Sequence, residues 1–155
     1  DEVVGPATLD RRRAIVMMTD GVDNSMGSFG QSLGSRISFE DLLEAVGQSD
    51  VLVVPIYLDT ERDEFSNDYT KKIYASARKM LQALADETGG SYYKARKLSD
   101  LNGVYEQVIN DLGKIYSIGY KPSNDKRDAT WRSVQVQLVN RPDLVAHARP
   151  GYYAK

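Results

Sequence analysis

Ala14-Ile15-Val16-Met17-Met18-Thr19-Asp20-Gly21 is the stretch on which the fold of this chain turns. A short, unbroken apolar run bounded by Arg13 and by Asp20-Gly21 has the length and make-up of a strand buried on both faces, as parallel sheets require. Asp20 would then stand just past the carboxyl end of that strand, where open α/β sheets gather their ligand sites. Gly21 allows the backbone to turn sharply beside it. A carboxylate in this place suits a hard divalent cation or a phosphorylatable aspartate. It suits as well an aspartate that merely closes a turn.

Moving outward, Asp20 to Arg36 holds four glycines and four serines, which is loop composition. Ser38 can cap a helix with Asp41 at its third position, Ile37 and Leu42 can staple it, and Leu42, Leu43 and Val46 supply a buried side. Val51 to Leu58 is a second apolar strand, although Pro55 inside it removes one ladder donor. Tyr69 to Thr88 reads as a long helix with Ile73, Ala77, Met80, Leu81 and Leu84 along one side, ended by Gly89-Gly90. Ser91 to Lys94 is a short third strand. Ser99 is placed to cap a last helix, striped by Leu101, Val104, Tyr105, Val108 and Leu112 and stopped near Gly113.

Strand and helix alternate three times, which predicts an α/β fold with a parallel sheet and helices on its faces. After residue 114 the pattern changes to period two. Tyr116, Ile118 and Tyr120 alternate with small residues, Trp131 to Val139 alternates Val and Leu with Ser and Gln, and Leu144 to Arg149 comes after the turn Asn140 to Asp143. This predicts a three-stranded antiparallel meander with one wet face. Residues 1–114 and 115–155 are therefore read as an α/β unit and a β extension.

Composition narrows the function classes. A chain of 155 residues supports one domain with a sizeable core. A net charge of -2 with mixed signs gives no basic field for nucleic acid, and Arg11-Arg12-Arg13 reads as a solvated strand edge. The absence of cysteine removes disulfides and thiolate metal sites, and no apolar run is long enough to span a membrane. His147, the single histidine, sits on an alternating segment and reads as a surface or packed residue rather than a catalytic base. Ser25, Ser28 and Ser32 lack a nucleophile elbow around them. Gly27, Gly30 and Gly34 lack the lysine of a phosphate loop. The ten tyrosines read first as amphipathic packing, and secondly as a binding surface.

The segment Ile15-Val16-Met17-Met18-Thr19-Asp20-Gly21-Val22-Asp23-Asn24 resembles the fourth strand and following loop of von Willebrand factor A domains, whose apolar run ends in Thr-Asp-Gly. Three further blocks, Ile115 to Pro122, Trp131 to Val136 and Ala148 to Tyr153, resemble the tail of a bacterial group of von Willebrand factor A-related proteins, frequent in acidobacteria and mostly exported. The resemblance implies half of a doubly wound, Rossmann-like sheet and a protein-binding, adhesion-type module rather than an enzyme. It also implies export from the cytoplasm. By the same resemblance Asp20 matches an aspartate of the metal-ion-dependent adhesion site, with Thr19, Gly21, Asp23, Asn24 and Ser25 framing the binding loop. Mg²⁺ or another divalent cation would then bind there and coordinate an acidic group of a protein partner.

The departures from the family bear on the same site. Its Asp-x-Ser-x-Ser loop and separate threonine have no counterpart here, and Gly27 stands where Asp23-Asn24-Ser25 would need a second serine. Val22 breaks an EF-hand pattern. One carboxylate with a few hydroxyls predicts weak metal binding or none in this chain. In the family the fourth strand lies beside the first, so residues 14–19 are expected to present an open edge, met by a homodimer or by an N-terminal portion. Two other classes stand beside the binding module: an α/β enzyme using Asp20 as phosphoryl acceptor or metal ligand with Asp59 beside it, and a structural assembly module of an envelope complex.

Overall fold

The computed structural model describes residues 13–22, 35–60 and 67–154. Strands β1 (Arg13–Thr19), β2 (Val51–Leu58) and β3 (Tyr93–Ala95) form a parallel sheet in the order β1-β2-β3. Helix α1 (Phe39–Gln48) joins β1 to β2, α2 (Asp68–Thr88) joins β2 to β3, and α3 (Leu101–Leu112) comes after a short 3-10 turn at Leu98–Asp100. The fold is α/β, with helices on both faces of the sheet.

Parity along β2 divides the core into two. Val53 and Tyr57 face α1 and α2, meeting Leu81 and Leu84 with Met17, Leu43 and Val46 around them. Val54 and Ile56 face the other way, onto Ala95 and onto Val104 and Val108 of α3. The register continues this division into β1, since Ile15 lies beside Val53, Val16 beside Val54 and Met17 beside Pro55.

Local chemistry explains the element ends. The Ser38 hydroxyl accepts the Asp41 N–H at 3.1 Å, as its spacing predicts, but Ile37 and Leu42 are both exposed rather than stapled across it. Leu42 therefore leaves the buried side of α1 to Leu43 and Val46. Asn67 caps α2 by accepting the Thr70 N–H at 2.8 Å. Gly89 ends it at φ 74°, a left-handed conformation that glycine adopts without a Cβ penalty. Ser99 does not cap α3; it lies inside the 3-10 turn, and the Asp100 carboxylate instead accepts the Arg96 N–H at 3.2 Å.

Pro55 is accommodated by the place where β3 begins. Thr88 Oγ1 accepts the Val53 N–H at 3.0 Å, so Val53 points its amide away from β1, and period-two alternation turns the Pro55 nitrogen the same way. Pairing with β3 starts only at Ile56. The missing donor falls where no ladder partner stands, and no sheet bond is lost.

The tail departs from the expected meander. Only β4 (Trp131–Ser133) and β5 (Gly151–Tyr153) pair, antiparallel, with Trp131 opposite Tyr153. Bonds from Ala129 N to Ala154 O and from Val134 N to Pro150 O extend that hairpin at both ends. Residues 115–122 and 144–149 are in no strand, and Tyr116, Ile118 and Val145 are exposed. The expected turn at Asn140 to Asp143 is present, closed by Leu144 N to Arg141 O and by the Arg141–Asp143 pair at 2.8 Å. Beyond that turn the chain runs past the sheet end: the backbone of Ala148 and Arg149 lies against Gly89, and the Arg149 guanidinium donates to Ser49 O at 2.5 Å. Residues 115–154 thus rest on the α/β layer through their far end. Among the described residues, no helix is long and apolar enough to cross a membrane.

Candidate functional site

Asp20 lies where the sequence places it, directly past the carboxyl end of β1, next to the end of β2. Gly21 has φ 71°, and a Cβ there would meet Leu81 Cδ1 at 2.9 Å, so the loop can leave β1 tight against α2 only with glycine at this point. The loop is held by local bonds. Asp20 Oδ1 accepts the Val22 N–H at 3.2 Å, and Thr19 Oγ1 accepts the Gly21 N–H at 2.9 Å. Of the side chains that the sequence offers to a cation, the two among the described residues, Thr19 and Asp20, already serve the turn.

Asp23, Asn24 and Ser25, together with Gly27, Ser28, Gly30, Ser32 and Gly34, lie outside the described residues. Arg11 and Arg12 do so as well. Asp59, the second carboxylate at this end of the sheet, is paired with Lys94 of β3 at 2.7 Å. The described residues hold no cluster of three or more acidic, histidine or cysteine side chains suited to a metal. One carboxylate and one hydroxyl, each bonded to backbone, do not make the shell of about six oxygens that a hard cation takes.

No sequence signal marks Lys94, yet it belongs to a cluster that packs this end of the sheet. Tyr57 is fully buried; its phenolic oxygen accepts from Arg78 at 3.2 Å, and Arg78 and Lys94 lie 5.7 and 5.6 Å from its ring centre. Tyr92 stacks on Tyr57 at 6.4 Å, and burial, with Tyr57 beside it, raises its phenol above the ordinary pKa. These contacts make Tyr57, Tyr92 and Lys94 packing partners first. They also tie Asp59 to a cation, which leaves the phosphoryl-acceptor reading without a second unpaired acid among the described residues at this end of the sheet.

The other notable surface is β1 itself. Among the described residues it is paired on one side only, by β2. On the α1/α2 side Ile15, Met17 and Thr19 are half-buried, whereas Val16 and Met18 on the α3 side are 41% and 45% exposed. α3 covers β2 and β3 on that side and reaches β1 through the Tyr105 hydroxyl, 3.8 Å from Met18 Sδ. Ala14, Val16 and Met18 thus form an exposed apolar strip; Tyr105, which meets Met18, and Ile109 one turn further along α3 are exposed as well. His147 is exposed and joins neither surface.

Comparison of the chain with family models, with curated proteins and with solved structures finds no match.

Proposed function

We propose that this chain is a protein-binding module that binds through the open side of β1 and the loop that leaves it. One observation carries the reading: an apolar strand, central in composition, is paired on one side and uncovered on one face among the described residues. Strand edges of this kind are templates for another chain, and soluble proteins rarely leave them bare. The resemblance to von Willebrand factor A domains supports the same class, because it puts partner binding at the carboxyl end of this strand, and the resemblance alone supports an exported setting.

A metal-assisted contact at Asp20 is the narrower form of the proposal. The described donors do not fit a cation by themselves, so no step is assigned to one. The Asp59–Lys94 ion pair lies at the same end of the sheet and is assigned no catalytic role.

Photo-crosslinking tests the reading by position. A photoreactive side chain at Met18 should give protein adducts, and one at Gln82 on the exposed side of α2 should give none. Adducts from both positions, or from neither, would remove the proposal. Asp20→Ala assayed with and without Mg²⁺ then separates the two forms, since a metal-assisted contact is lost only where Mg²⁺ is present.

A further inference from the structure

We infer, resting on the reading of β1 as a binding edge, that the strand completing the sheet is β1 of a second copy, antiparallel about a twofold axis through Val16. Such an axis stands normal to the sheet and keeps each side chain on its own face, so only residues of equal parity can oppose one another. β1 has seven residues and Val16 is its centre. The register centred there pairs the whole strand: Arg13 with Thr19, Ala14 with Met18, Ile15 with Met17, and Val16 with itself. Shifts by one pair leave strand ends unmatched.

Side-chain size and charge both favour this arrangement. On the uncovered face the small Ala14 opposes the long Met18, while Val16 meets its own copy, so three apolar cross-strand contacts form on a strip that is otherwise wet. Charge selects the direction. The strand opens with Arg13 and is followed by Asp20, so antiparallel pairing brings each Arg13 to the partner's Thr19–Asp20 end. Parallel pairing would set Arg13 beside Arg13 and Asp20 beside Asp20. The backbone donors and acceptors on the outer side of β1 would gain partners in the same step, giving a continuous six-stranded sheet.

The chain contains no cysteine, which makes disulfide trapping specific. Opposed residues in antiparallel strands lie about 4.5–5.5 Å apart at Cα, within disulfide reach. Under mild oxidation Val16→Cys should link to itself, since it lies on the axis. Ala14→Cys and Met18→Cys should each stay unlinked alone and link when mixed. Sedimentation equilibrium of the unsubstituted chain should give twice the chain mass. Val16→Lys, on an exposed position that leaves folding intact, should weaken that association by about tenfold or more. Arg13→Glu should weaken it too, and adding Asp20→Lys should restore it. A chain that remains monomeric, or a Val16→Cys variant that stays unlinked while Ala14→Cys links to itself, overturns the inference. Photo-adducts from Met18 to a different protein would in that case still uphold the broader binding role, so the two failures are distinct.

Discussion

Val16 and Val54 are the same residue, side by side in register on adjoining parallel strands, and they meet opposite fates. Val54 is 2% exposed beneath α3, whereas Val16 is 41% exposed. The same contrast runs the length of the two strands: β2 is buried on both faces, and β1 only partly on one. Composition does not separate them. Coverage does, because α3 packs over β2 and β3 and touches β1 only at Met18, through the Tyr105 hydroxyl, among the described contacts. An apolar run therefore states what a strand needs over it, not whether its own chain supplies that cover.

Substitutions in β2 should have the largest effect. Ile56→Ala should cost about 3 kcal/mol in urea unfolding, since Ile56 is fully buried between Ala95 and α3 and leaves a cavity there. Val54→Thr should cost about 2 kcal/mol, because it sets a hydroxyl without an evident partner into the same cluster. If either substitution proved harmless, the α3 side of the core would not be the packed layer described. Next comes Thr88→Val, expected to cost about 1.5 kcal/mol by stranding the buried Val53 N–H that accommodates Pro55. A loss no greater than that of an exposed threonine would refute the account of the proline.

A smaller effect tests whether the tail hairpin is held by its own bonds rather than by the sheet. Thr130 donates to the Asp128 carboxylate through its hydroxyl and its backbone N–H, and Arg132 pairs with it at 2.9 Å. Thr130's hydroxyl, its amide and then Arg132 hold the Asp128 carboxyl down to about 2. A carboxyl depressed on folding contributes stability that is present above its ordinary value and lost as pH falls through the lowered one. Fluorescence of Trp131, the single tryptophan, packed edge-on against Tyr153 at 5.0 Å, should therefore change as pH falls from about 4 to about 2. Asp128→Asn should flatten that response.

Legibility from sequence divides along the same line, between the nature of a segment and its neighbours. Val51–Leu58 shows its strand bounds through β-branched composition and Asp59, and the Ser38–Asp41 spacing shows a cap, because both signals are local. Asp20 is legible as a carboxylate at a strand end, yet its bond to Val22 depends on the turn geometry that Gly21 adopts. The Asp59–Lys94 pair is hidden, since it requires knowing that β3 pairs with β2 in the register that sets Lys94 beside Tyr57. Alternation at Tyr116, Ile118 and Tyr120 indicates an amphipathic strand, but alternation names a face and no neighbour, and the described residues provide that segment no strand to pair with. Ser99 fails as a cap because the Asp100 side chain bonds back to Arg96 and a 3-10 turn precedes the helix.

The smallest expected effect is the most discriminating. Val16→Thr keeps the side-chain shape and β-branching and alters one methyl on the uncovered face. In dilute solution its unfolding free energy should stay within about 0.5 kcal/mol of the unsubstituted chain, as at other exposed positions. The same change at Val54 is expected to be costly, so the pair isolates coverage by α3 from everything intrinsic to valine in a strand. Concentration then adds a second axis. A chain that associates through β1 gains apparent stability as its concentration rises, because the partner binds only the folded state. Val16→Thr should reduce that gain while leaving the dilute limit in place, since the hydroxyl must be desolvated only when a neighbouring strand closes over it. A thermal midpoint independent of concentration in both proteins would mean that β1 recruits no second copy, and a dilute-solution loss as large as that at Val54 would mean that Val16 is covered after all.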